Sequence, residues 1–181
     1  MVRNFKICCL CFMLSFFTAL NVSAEASIYD IVNREDMDAF SDMVVLGYGI
    51  DDFDVDGYTP LMIAAALNKV DFAAFLISNG ASVDRPNFNG LTALHHAAQN
   101  GHNEMIDILV SAGAEVNMPD FKGFTPIMYA ILGEHRFTVE KLVALGADIN
   151  YMNINKETPL RIAEKNRFNQ IAAFLRSRGA Q

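Results

Sequence analysis

Apolar residues along this chain come in short bursts of helical period. In LMIAAALN, Leu61, Ala64 and Ala65 fall at i, i+3 and i+4 on one helical face. In DFAAFLIS, Phe72, Phe75 and Leu76 do the same. Thr-Pro opens three of the bursts, with Pro60, Pro126 and Pro159 where a missing N–H costs little. Gly80, Gly113 and Gly146 follow the second burst of three pairs, as a left-handed helix end requires. The pattern predicts pairs of short helices. A lone pair cannot bury its apolar face, so the pairs must stack on one another.

The pairs recur at one period. Thr59, Thr92, Thr125 and Thr158 are each 33 apart. Gly57, Gly90 and Gly123 keep the same step, and Lys156 takes the fourth place. Gly47, Gly80, Gly113, Gly146 and Gly179 form another column, as do Ile50, Val83, Val116 and Ile149. Independent columns with one period identify an internal repeat. DVDGYTPLMIAA, NFNGLTALHHAAQNGH, DFKGFTPIMYA and NINKETPLRIA open four copies, and NGASVD, AGAEVN, LGADIN and RGAQ close them. These segments resemble the ankyrin repeat, with its Gly-x-Thr-Pro-Leu-His opening and Gly-Ala-Asp-Val-Asn ending.

The resemblance implies an all-α solenoid of helix-turn-helix pairs joined by β-hairpin loops. One degraded copy (about 28–53, with Gly47 and Ile50 in phase but no Thr-Pro) precedes four others, at 54–86, 87–119, 120–152 and 153–181. Gly57, Gly90, Gly123, Thr59, Thr92, Thr125, Thr158 and His95 then hold the repeat together, His95 through bonds to neighbouring hairpin backbone. His102 and His135 fill the turn between paired helices. Polar residues replace apolar ones in the last copy (Arg161, Glu164, Lys165, Arg167, Arg176, Arg178), and Glu35, Asp36, Asp38 and Asp42 mark the first, as caps require.

The first two dozen residues are of another kind. Arg3 and Lys6 precede an uncharged run, residues 7–20, and Val22-Ser23-Ala24 offers small residues for a signal peptidase. The run is short for spanning a bilayer, which takes about 20 residues. Residues 1–24 therefore read as a secretory signal, with Ala26 as an alternative cleavage site, and 25–181 as the mature domain. Cys8, Cys9 and Cys11 all lie in the leader, so the mature chain has no disulfide and no thiolate metal site. This favours a periplasmic location, with secretion as the alternative, and no membrane attachment after cleavage. Loss of Arg3 and Lys6 leaves twelve cations against 21 acids, a net charge of −9. That speaks against nucleic acid as a partner.

Asp52, Asp54, Asp56 and Gly57 spell the start of a calcium loop. The twelfth place holds Ile63 instead of a bidentate Glu, and later copies lack the acids. His95 and His96 point about 100° apart on a helix and cannot easily chelate one ion. No nucleophile, zinc or phosphate-loop motif is present in the mature chain, so neither enzyme activity nor a metal or other cofactor is expected.

By resemblance, such arrays bind proteins through hairpin tips and the concave face. Two columns flank the hairpin glycine: Val55, Phe88, Phe121 and Ile154 before it, and Tyr58, Leu91, Phe124 and Glu157 after it. Seven of the eight are apolar or aromatic, which marks them as candidate anchors. Leu132, Tyr129, Tyr151 and Met152 extend the patch. The opposing account is that these side chains stack on one another along the array. The expected protein is a monomer that binds a protein partner, inhibiting or protecting a periplasmic enzyme. The alternatives are a general scaffold with several weak partners and an effector exported to a host.

Overall fold

The computed structural model describes residues 27–181. The leader with its cleavage sites, and the three cysteines, lie outside the described residues. Among the described residues, ten helices run in five pairs. They are α1 (Ile28–Arg34) with α2 (Met37–Val45), α3 (Pro60–Leu67) with α4 (Val70–Ser78), α5 (Ala93–Asn100) with α6 (Asn103–Ser111), α7 (Pro126–Leu132) with α8 (Arg136–Ala144), and α9 (Pro159–Lys165) with α10 (Asn169–Ser177). The first helices of successive pairs pack on one another from α1 to α9, and the second helices do so from α4 to α10. The result is two layers of parallel helices.

The repeat period is the packing period. Ala64, Ala97, Ala130 and Ala163 occupy one column of the first helices, and all are fully buried. A methyl group there lets neighbouring helices approach closely. Leu76, Leu109, Leu142 and Leu175 fill the equivalent column of the second helices, again with no exposure. Truncating one such leucine costs about 2–5 kcal/mol. In the degraded copy, Phe40 plugs the end of this core, edge-on to Phe72 at 5.6 Å. Thr59 and Thr158 cap their helices by accepting the Met62 and Arg161 N–H groups at 3.3 Å.

Polar columns stitch the repeats together. Asp51 accepts the Ser82 N–H at 3.0 Å, Asp84 the Glu115 N–H at 3.0 Å, Asn117 the Asp148 N–H at 2.8 Å and Asn150 the Gln181 N–H at 2.9 Å. These acceptors are again one repeat apart. Lys69–Glu35, between the turns that join paired helices, and Lys141–Asp107, between second helices, bridge neighbouring pairs at 3.2 and 2.6 Å. The cap residues Arg161, Glu164, Lys165, Arg167, Arg176 and Arg178 are all exposed.

One expectation needs refinement. No residue among the described ones forms a strand. What the pattern reads as β-hairpins are tight turns, each closed by an outer backbone bond over an inner one from the N–H of Gly57, Gly90, Gly123 or Lys156. Asp54 N–H donates to Tyr58 O (2.9 Å), Asn87 to Leu91 O (2.8 Å), Asp120 to Phe124 O (2.9 Å) and Asn153 to Glu157 O (3.1 Å). The legs are too short for a ladder.

Candidate partner-binding surface

The turns are built by a column of short polar side chains. Asp54 Oδ1 accepts the N–H groups of Asp56 (3.0 Å) and Tyr58 (2.7 Å). Asn87 holds Asn89 and Leu91, both at 2.9 Å; Asp120 holds Lys122 and Phe124 at 2.9 and 2.7 Å; Asn153 holds Asn155 and Glu157, both at 2.9 Å. Asp and Asn favour such turns because the side chain mimics a backbone acceptor. Gly57, Gly90 and Gly123 follow at φ of +83°, +85° and +75°. Lys156, in the fourth turn, takes the same left-handed conformation at φ +58° despite its side chain.

Two of the acids of the calcium-like spelling are engaged by backbone N–H groups. Asp54 turns its carboxylate onto its own turn, and Asp52 Oδ2 accepts the Gly49 N–H at 2.6 Å. Among the described residues, no group of three or more His, Cys, Asp or Glu side chains could hold a metal ion. No helix among them is long and apolar enough to cross a membrane.

The turn sends its two flanking columns in opposite directions. Val55 is 99% exposed, Phe88 68%, Phe121 71% and Ile154 68%. Tyr58, Leu91 and Phe124 are half-buried, with Tyr58 and Phe124 packed on the core. The tips thus form one apolar edge, and the second column braces them from behind. The tip rings also rest on neighbouring turns. A methyl group added at Gly57 would lie 2.5 Å from Phe88 Cδ2, and one at Gly90 would lie 2.8 Å from Phe121 Cδ1. Phe53, under Phe88 at 5.1 Å, carries the Arg85 guanidinium 4.7 Å from its ring centre.

The remaining candidates divide. Leu132 and Met152 are exposed, while Tyr151 is half-buried against the core. Tyr129 is a strut: its hydroxyl donates to Asp120 Oδ2 at 2.8 Å, and its ring sits 5.9 Å from Phe124. Burial, then the Asp120 carboxylate, push its pKa up. Glu157, the polar member of its column, is held down by Lys165 at 2.7 Å and then by Asn153. Phe137, 76% exposed on α8, is an apolar residue that the tip columns do not reveal.

His95 couples one repeat to the next. Its Nδ1 accepts the Thr92 N–H at 3.0 Å, so the proton sits on Nε2 and donates to Phe124 O at 3.1 Å. His102 Nε2 similarly meets Ala66 O at 3.1 Å. His96 differs. It is buried beneath Tyr58, with ring centres 5.2 Å apart, and its Nε2 has no partner among the described residues. Burial lowers the pKa of both adjacent histidines to about 4, so both are neutral at pH 7.

The family description "Ankyrin repeats (3 copies)" matches residues 28–120, and "Ankyrin repeat" matches residues 122–154. The chain belongs to the ankyrin repeat family. The three-copy match begins at Ile28 and so includes the copy that lacks Thr-Pro. No curated protein matches the chain. Ankyrin repeats generally mediate protein–protein interaction, and proteins made of them are typically non-enzymatic scaffolds.

Proposed function

We propose that this ankyrin protein is exported, works in the periplasm, and binds one protein partner there through its turn tips, restraining or shielding an enzyme. One observation carries the choice of surface: Val55, Phe88, Phe121 and Ile154 form a single edge and are each at least 68% exposed. Large apolar side chains at contiguous exposed places favour interaction sites over bare solubility. Phenylalanine, which supplies two of the four, is among the residue types enriched at protein interfaces. Export rests on the cationic, apolar and small-residue order of residues 1–24.

The test is a capture experiment on a periplasmic extract with residues 25–181, beside a Phe88→Ser, Phe121→Ser, Ile154→Ser variant of unchanged helical circular dichroism. The expected result is one protein held stoichiometrically by the parent and about 30-fold or more weaker by the variant. Its enzymatic activity is then assayed with and without the chain. Equal capture by both proteins would overturn the tip assignment. Several weak partners would instead support a general scaffold, and mature chain found outside the cell would support an effector.

A further inference from the structure

The tips recur at a step set by the backbone. Phe121 N–H donates to Asn89 O at 3.1 Å, and Ile154 N–H donates to Lys122 O at 3.2 Å, so these adjacent turns abut directly. Each turn comprises two passes of chain. Hydrogen-bonded passes lie about 4.8 Å apart, so equivalent tips recur every ~9.6 Å. A polyproline-II segment returns to the same face every third residue, after about 9.3 Å. An α-helix does so every seventh residue, after about 10.5 Å. A β-strand offers same-face residues about every 6.7 Å. Across the three tips so joined, Phe88, Phe121 and Ile154, the polyproline-II register drifts by about 0.6 Å and the helical register by about 1.8 Å.

Charge adds a direction. Beside the first tip stands Asp56, beside the second Asn89, beside the third Lys122, and beside the fourth Asn155 and Lys156. Asp56, Lys122 and Lys156 are exposed, and none makes an ion pair among the described residues. Beside its apolar tips the edge is therefore negative at the first, uncharged at the second and positive at the third and fourth. A partner segment of opposite polarity has its charges met at both ends.

We infer, resting on the tip edge being the binding surface, that it takes a polyproline-II segment with an apolar residue at every third place, acidic where it crosses Lys122 and Lys156 and basic where it reaches Asp56. Aromatic-lined surfaces suit this conformation because the segment is already extended before it binds.

Fluorescence anisotropy with synthetic peptides tests it. The probe is Lys-Lys-(Pro-Pro-Leu)4-Glu-Glu, compared with Lys-Lys-(Pro-Pro-Leu)4-Lys-Lys. A third peptide is helical and longer, so that it carries four leucines at every seventh place between the same terminal charges. The Lys/Glu probe is expected to bind about fivefold more tightly than the all-Lys peptide at low salt, with the difference gone at 1 M salt. Lys122→Glu with Lys156→Glu is expected to reverse the preference without loss of fold. Equal binding of both proline peptides would overturn the polarity. Tighter binding of the helical peptide would overturn the conformation. Failure of all three peptides, with the captured partner still lost by the serine variant, would overturn this inference and leave the tip surface standing. Failure of both experiments would remove the surface as well.

Discussion

Acid should loosen this array from its middle. His95 and His96 sit side by side on α5, and burial is the largest cause holding each near pKa 4 instead of 6.5. The Phe124 carbonyl partly offsets burial for His95, whereas repulsion from His95, once that ring is protonated, lowers His96 further. A folded pKa below the unfolded one means that protonation favours unfolding. The stability from neutral histidine is thus complete above pH 6.5 and is lost as pH falls through 5 toward 4. For one histidine the full loss is about 3 kcal/mol, with about 2 kcal/mol of it already gone at pH 5. Domains of this size have only about 5–15 kcal/mol in hand. The perturbation is His96→Ile, because Ile63 and Ile162 fill the same column and are buried. At pH 7.5 it should stabilise by about 1–2 kcal/mol through removal of an unpartnered nitrogen. At pH 5 the gain should grow by about 2 kcal/mol more. Urea unfolding followed by circular dichroism at both pH values measures this. A gap between variant and parent that stays constant with pH would refute the titration. A variant less stable at both pH values would refute the assignment of a cost to the buried ring.

Three further substitutions test the turns. Gly90→Ala should destabilise more than Gly113→Ala, although both residues have positive φ. A methyl group at Gly90 meets the Phe121 backbone nitrogen at 2.7 Å, whereas nothing lies within 4 Å of one at Gly113. Gly113→Ala should cost the left-handed penalty alone, about 1–2 kcal/mol, and a smaller melting-temperature drop for Gly90→Ala would contradict the contact. Asp120→Ala strands the Lys122 and Phe124 N–H groups and the Tyr129 hydroxyl, which should cost about 2–3 kcal/mol. The same variant should lower the tyrosine titration midpoint, readable by ultraviolet absorbance, because the carboxylate helps to hold Tyr129 protonated. An unchanged midpoint would remove Asp120 from that role.

The repeat was legible because its columns are of strong chemical type. Proline, threonine and glycine each answer a backbone demand, and the chain supplies them at one period. The polar columns were equally periodic yet easy to pass over. Asp54, Asn87, Asp120 and Asn153 look like solvated loop residues, and only their geometry shows carboxylate and amide oxygens spent on turn N–H groups. The orphaned nitrogen of His96 was invisible for a different reason: its neighbour Tyr58 lies 38 residues away and is brought over it by stacking.

The tip residues pose the sharpest test of what sequence conveys. Val55 and Tyr58 flank one glycine and are both apolar, yet the left-handed turn sends one out and the other in. Stacking and exposure also look like rivals on paper, since a ring that packs should not be free to bind. Phe88 does both: one face lies over Gly57 and Phe53, and 68% of the residue remains open. Glycine makes this arrangement possible, because any side chain at residue 57 would lift the ring off its seat. Support from behind lowers the entropy that the ring would lose on meeting a partner. A braced aromatic edge is thus better prepared for binding than free side chains would be, and the stacking along the array becomes part of the case for the surface.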